Sequence, residues 1–265
     1  MLLCSNLNSI STATMTSKPT LIFVSGAWHS PDTWNKLTAE LEPQGYKTIC
    51  TSHPSTRSDP TKGIFDDIQE VRNAILAEVT QGRDVVVVVH SYGGMVGPSA
   101  IKGLTEATSE RPGRVIGIAM MATGYCVTGV GFLEGIGGNP PPFWRADTDT
   151  GFATLIVDTR ELFYHDLPEE EGKYWVSRLL PHSLKSLTDN GEHVYSGWKD
   201  VPTRYLITTD DRTFPTEVQL GIAENAKQQG GDVIVEQIHT SHSPMLSKPK
   251  ETADFIVRAV ETFTK

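Results

Sequence analysis

Residues 84–94 read DVVVVVHSYGG. Five consecutive valines show no polar alternation, which marks a strand buried on both faces in a parallel sheet covered by helices. The run stops at His90, Ser91 and Tyr92 and turns on Gly93 and Gly94, leaving no length for an ordinary loop. In open parallel sheets, ligands gather beyond the carboxyl ends of the strands. A sharp strand-to-helix turn at that end lifts a side chain clear of the backbone, and the next helix aims its first N–H groups at the same space. Ser91 is therefore read as a nucleophile in preference to a helix-capping serine. The pattern V-H-S-Y-G meets the nucleophile-elbow pattern G-x-S-x-G at the serine and the second glycine, with Val89 in place of the first glycine.

Working outward, TLIFVSG (20–26) and KTICTS (47–52) read as further strands. Ile68, Val71, Ile75, Leu76 and Val79 fall on one face of a helix that Gly82 ends. A helix is expected after the glycines to about Leu104, then the strand RVIGIAMMAT (114–123). Such alternation builds a parallel sheet with helices on both faces. It breaks between about 125 and 195, where GYCVTGVGFLEGIGGNPPPFW cannot be one regular element and helical pieces rich in aromatics follow. No strong strand is expected there. Alternation resumes with a strand over 201–210, a helix over 215–230, a strand over 232–240 and a last helix near 249–264. The division expected is an N-terminal mobile extension (1–18), a core (19–124 and 196–265) and a mainly helical inserted cap (125–195).

Composition narrows the function classes. With 38% hydrophobic and 21% charged residues the 265-residue chain is an ordinary globular one, and its net charge of −9 disfavours nucleic acid. Basic residues are scattered, and no run approaches the ~18 apolar residues of a membrane span. The N-terminal stretch lacks the basic region of a signal peptide. Cys4, Cys50 and Cys126 fit neither a zinc spacing nor a disulfide framework, so a reducing, cytoplasmic setting is expected. No metal and no cofactor is expected, since no strand is followed by a G-x-G-x-x-G loop.

A serine hydroxyl needs a base to take its proton, and the base needs a carboxylate to orient it. Chain order in this topology places the acid after the strand before last and the histidine after the last. YLITTDDRTFP supplies Asp210 and Asp211; VEQIHTSHSPML supplies His239 and His242. Asp211, directly before a basic residue, and His242, in the loop beyond the strand, are favoured over their neighbours.

The stretches FVSGAWHSPDTWNKLTAELEPQGYK, VVVVVHSYGGMV, LFYHDLPEEE, TTDDRTFP and HSPMLSKP make the chain similar to the α/β-hydrolase superfamily. Within it the chain resembles the small esterase group that includes plant methylesterases and hydroxynitrile lyases, over roughly residues 19–262. The resemblance implies an α/β-hydrolase fold: a doubly wound, mostly parallel sheet with an inserted cap. It implies Ser91 as nucleophile, Asp211 as acid, His242 as base, and an oxyanion hole from the backbone N–H groups of Ala27 and Tyr92. Ser25 stands where the family usually has a histidine, so the hole's supporting hydrogen bonds are expected to differ. Lyases of the group carry a hydroxyl residue before the first oxyanion donor and a lysine after the catalytic histidine; Gly26 and Ser243 occupy those places.

The expectation is therefore a serine hydrolase of small apolar or aromatic carboxylic esters or lactones. Trp28, Phe132, Phe143, Trp144, Phe163 and Tyr164 are candidate substrate-binding residues, against the plain alternative that they pack cap on core. His29, His53 and His182 are read as surface or hydrogen-bonded residues. The competing class is a non-hydrolytic member of the fold, a lyase, a C–C bond-cleaving enzyme or a ligand-binding protein. The expected partner is a small molecule, with a homodimer allowed.

Overall fold

The computed structural model describes residues 18–265. The expected extension, apart from Lys18, and Cys4 lie outside the described residues. β1 (Thr20–Val24) leads to α1 (Asn35–Leu41), β2 (Thr48–Thr51) to α2 (Ile64–Val79) and β3 (Val85–His90) to α3 (Gly93–Ala100). β4 (Val115–Met121) then opens into the cap. The cap holds α4 (Phe132–Gly135), β5 (Trp144–Asp147), β6 (Phe152–Leu155), α5 (Thr159–Phe163), α6 (Glu169–Ser177) and α7 (Leu184–Thr188). The core resumes with β7 (Thr203–Thr208), α8 (Thr216–Gln228), β8 (Val233–Ile238), α9 (Pro244–Ser247) and α10 (Pro249–Phe263).

The six core strands form one parallel sheet in the order β2-β1-β3-β4-β7-β8. Its centre is apolar on both faces: every valine of β3 is fully buried. Its edges are not, and Ile234 on β8 reaches solvent. α1 packs with α10 on one face, while α3 packs with α2 on the other. The chain thus leaves the neighbouring strands β1 and β3 toward opposite faces, opening a crevice at their carboxyl ends. Gly26–Ala27 and Ser91 border that crevice.

Two elements differ from expectation. The cap contains an antiparallel hairpin, with Trp144 opposite Leu155 and Asp147 opposite Phe152. Its turn closes at Gly151, whose φ of +75° only glycine adopts freely. α3 also stops at Ala100, carrying Pro98, and a turn to Gly103 (φ +70°) follows.

The missing first glycine of the elbow has a structural answer. A Cβ on Gly97 of α3 would lie 2.5 Å from Cγ1 of Val89. The helix, and not the strand, supplies the space for close packing. Gly97→Ala should lower unfolding stability by about 1–3 kcal/mol through overpacking. Val89→Ala placed in the same chain should recover part of that loss in urea titrations; strictly additive penalties would contradict the packing argument.

Candidate active site

Ser91 has φ of +51°, in the left-handed region that a non-glycine residue enters only under constraint. The constraint is visible on both sides. A side chain on Gly93 would collide with the carbonyls of Val24 and Ser25, and one on Gly94 with the Thr123 side chain. Ser91 N–H donates to Met121 O at 3.3 Å, and Gly94 N–H to Ser91 O at 2.9 Å. From Val85 to Ala100, Ser91 is the only residue not buried. The strand end, the turn and the helix thus leave Ser91 as the one residue of this stretch that reaches solvent.

Of the paired alternatives, the structure brings Asp211 and His242 together. His242 Nδ1 lies 2.8 Å from Asp211 Oδ2, with both side chains shielded from solvent. Asp211 Oδ2 also accepts from the Thr208 hydroxyl at 2.8 Å, and Oδ1 accepts from the N–H groups of Thr213 (2.8 Å) and Phe214 (2.9 Å). Burial pushes this carboxyl upward, but the His242 charge, its hydrogen bond, the Phe214 N–H and the Thr208 hydroxyl outweigh it. The net shift is below the ordinary carboxylate value. Asp210 is exposed and pairs with His165 at 3.1 Å; His239 is exposed and meets Thr209 Oγ1 at 3.3 Å. His242 is tied to the elbow, because His90 Nε2–H donates to its carbonyl at 2.8 Å.

Ala27 and Tyr92 are buried residues, and the backbone N–H of neither finds an acceptor among the described residues. Buried N–H groups seldom remain unpaired. Their surroundings hold them in place. His29 Nδ1–H donates to Ala27 O at 2.6 Å, and its Nε2 accepts from the Tyr164 hydroxyl at 2.7 Å. Trp28, at φ +61°, donates its N–H to His182 Nδ1 at 3.3 Å, and its carbonyl accepts from Leu180 N–H at 2.8 Å. Ser25, the departure from the family pattern, accepts from the Trp34 indole and from His53 Nε2–H, each at 2.9 Å. The support comes from Trp34 and His53. The Tyr92 hydroxyl donates at 2.8 Å to Asp67, a buried carboxylate that also accepts from Ser55 N–H and Oγ.

Trp28, Trp144, Phe163 and Tyr164 form one chain of ring contacts. Trp28 lies 6.4 Å from both Trp144 and Phe163 between ring centres, and its indole N–H donates to Ala153 O at 2.9 Å. Phe163 faces His242 at 5.7 Å, and half-buried Phe132 faces Tyr92 at 6.0 Å. Phe143 is also half-buried, on the same apolar body. Trp28, Trp144 and Tyr164 are almost wholly covered, Trp28 and Tyr164 with their polar ends bonded across the cap–core boundary. His29, His53 and His182 are buried and hydrogen-bonded, and the surface half of their reading does not hold. Sequence reasoning did not single out Asp67, His90 or Asp166. Cys50 and Cys126 are free thiols that burial pushes up to about 12, which makes them poor nucleophiles.

The sheet order and the strained serine turn define an α/β-hydrolase fold. The chain belongs to the alpha/beta hydrolase family, whose model matches residues 21–255. It is 28% identical over 247 residues to the alpha/beta hydrolase nvfD of Aspergillus novofumigatus (strain IBT 16806), covering 92% of this chain and 95% of that one. Methylesterase 1 of Arabidopsis thaliana is 22% identical over 267 residues, 93% of this chain and 97% of the relative. Among solved structures, polyneuridine aldehyde esterase matches with a TM-score of 0.71 at 18% identity, covering 94% of this chain and 100% of that one. The likeness runs to the plant methylesterase and polyneuridine aldehyde esterase group. No helix of the described residues is long and apolar enough to cross a membrane.

The buried histidines carry a consequence for stability. Burial, opposed by the Ala27 hydrogen bond and aided by the His242 charge, lowers His29 from 6.5 to about 4. His90 and His182 are likewise held well below 6.5, mainly by burial. As pH falls through 6.5 the unfolded chain binds protons that the native chain refuses, so stability present above 6.5 is lost toward pH 4. His29 alone accounts for about 3 kcal/mol across that window. The urea midpoint should fall steadily from pH 7 to pH 5, and His29→Gln should flatten the slope. A midpoint that ignores pH would contradict the buried, neutral assignment.

Proposed function

We propose that the chain is a serine hydrolase that cleaves a small apolar or aromatic carboxylic ester through an acyl-enzyme. The observation that carries this reading is the buried Asp211–His242 pair, tied through His90 to a strained and partly exposed Ser91. With Asp211 accepting at Nδ1, the proton of neutral His242 sits there and leaves a lone pair on Nε2. That lone pair takes the Ser91 proton as Oγ attacks the ester carbonyl. Negative charge then develops on the carbonyl oxygen, where the Ala27 and Tyr92 N–H groups receive it. Losing one such donor costs about 2.7–4 kcal/mol of barrier. His242 returns the proton to the departing alcohol, and water repeats the sequence to release the acid. A lactone, being an internal ester, meets the same chemistry.

Two local facts favour hydrolysis over the lyase chemistry of the resembling group. A Cβ at Gly26 would lie 2.9 Å from His90 Nδ1 and 3.1 Å from Ser91 Cβ, so the hydroxyl side chain that lyases carry there has no room. Ser243, at the place of the lyase lysine, is fully buried. The relatives named as esterases support the ester over other acyl compounds. Half-buried Phe132, facing Tyr92, supports an apolar substrate, whereas Trp28, Trp144 and Phe163 are taken up in packing between cap and core.

Hydrolysis of p-nitrophenyl esters from acetate to octanoate tests the reading. Ser91→Ala and His242→Ala should each reduce kcat by about 10³-fold or more. His239→Ala should remain close to the unsubstituted chain. Turnover that survives Ser91→Ala would overturn the proposed mechanism, and loss in His239→Ala alone would move the base to that residue.

A further inference from the structure

One short stretch of the cap touches three loops of the site, those that carry Ala27, Asp211 and His242. Tyr164 donates to His29, which donates to Ala27 O, so it reaches the oxyanion loop. His165 Nε2 meets Asp210 Oδ2 at 3.1 Å, beside Asp211, and the neighbouring Leu162 carbonyl accepts from the Thr213 hydroxyl at 3.2 Å. These contacts reach the acid loop. Asp166 Oδ2 accepts from Ser241 N–H at 2.8 Å, and its Oδ1 from the Ser247 hydroxyl at 2.9 Å. The Phe163 carbonyl accepts from the Ser241 hydroxyl at 3.0 Å, one residue before His242. The Phe163 ring stands 5.7 Å from the His242 ring and 5.3 Å from His29.

We infer that residues 163–166 are a positioning clamp for the catalytic loops, with Asp166 as the residue that sets the His242 loop. The inference rests on the serine-hydrolase reading and adds a function to the cap besides covering substrate. Its physical basis is registration. Ala27, Asp211 and His242 come from three separated loops at different strand ends, and each must be held in register with Ser91, which the buried end of β3 already fixes. Misplacement by about 1 Å costs up to about 10²-fold in rate. A segment bonded to all three loops fixes their mutual distances. Asp166 is itself exposed, while Ser241 is wholly buried. The aspartate carries no core packing, so its substitution removes the bonds to Ser241 and Ser247 without opening a cavity.

The test compares Asp166→Ala with Asp166→Asn. Asparagine keeps an oxygen for Ser241 N–H and offers its amide N–H to Ser247 Oγ, so it retains both anchors. Asp166→Ala should lower kcat for p-nitrophenyl esters between about tenfold and 10²-fold with KM unchanged and the thermal transition lowered by only a few degrees. Covalent labelling of Ser91 by a fluorophosphonate should slow in parallel, and Asp166→Asn should restore both rates. Unchanged labelling and kcat in Asp166→Ala would overturn the inference, as would an asparagine variant no better than alanine. Should Asp166→Ala fail to fold, Tyr164→Phe tests the oxyanion arm; labelling at the unsubstituted rate in that variant would overturn the clamp. Ser91→Ala in the same assay separates the two readings. If it stays active the hydrolase reading falls; if it is inactive while Asp166→Ala is unimpaired, only the clamp falls.

Discussion

Everything at this site depends on one backbone constraint, the left-handed turn at Ser91. Holding a non-glycine residue there costs about 1–3 kcal/mol, and persists only where the surroundings over-determine it. Here they do. β3 is hydrogen-bonded between β1 and β4 and buried throughout, so its end cannot shift. α3 packs so close that Gly93 touches the backbone of β1's end and Gly97 leaves room for Val89. A looser helix would let the turn relax and draw the hydroxyl back among buried groups. The strain is thus a result of close packing, and the exposed serine is its product.

That packing removes water from the loops around the turn, and most of their polar groups are satisfied internally; His53 Nδ1, His90 Nδ1 and Ser243 Oγ are buried without a partner among the described residues. Asp211 and Asp67 are buried carboxylates that meet no lysine or arginine. Backbone N–H groups, hydroxyls and one histidine hold them. The histidines follow the same logic. Neutral imidazole carries one donor and one acceptor, and His29 and His182 use both in opposite tautomers. An imidazole serves here because it bridges two groups across a dry boundary without bringing a charge.

The core was legible because its strands are apolar runs punctuated by glycine and its helices show a clear face; observed ends fall within a few residues of those read from the pattern. The hairpin in the cap was not, since WRAD and FATL alternate weakly and only the TDTG turn between them signals it. The Asp–His pair was legible because chain order confines it to two loops. Its geometry now separates Asp211 from Asp210 and His242 from His239. The supporting residues were hidden by distance along the chain. Trp28 and His182 are 154 positions apart, and Asp166 and Ser241 are 75 apart. No local spacing records such a contact, and a single aspartate in YHDL looks like any polar loop residue.

This distribution bears on how cap and core divide the work. Trp28 alone gives the cap three bonds, through its N–H to His182, its carbonyl from Leu180 and its indole to Ala153. Freeing the cap from this side would strand those groups, each at a cost of about 1–3 kcal/mol where water does not replace the partner. A cap bonded in this way cannot swing as a rigid lid about the oxyanion loop without disassembling it. Electrostatic stabilisation acts at full strength only when its donors are already aimed before charge develops. The bonds of Trp28, Tyr164 and Asp166 set the segment between β4 and β7 in register with the loops after β1 and β8, and under the proposed mechanism the cap is part of the preorganised site.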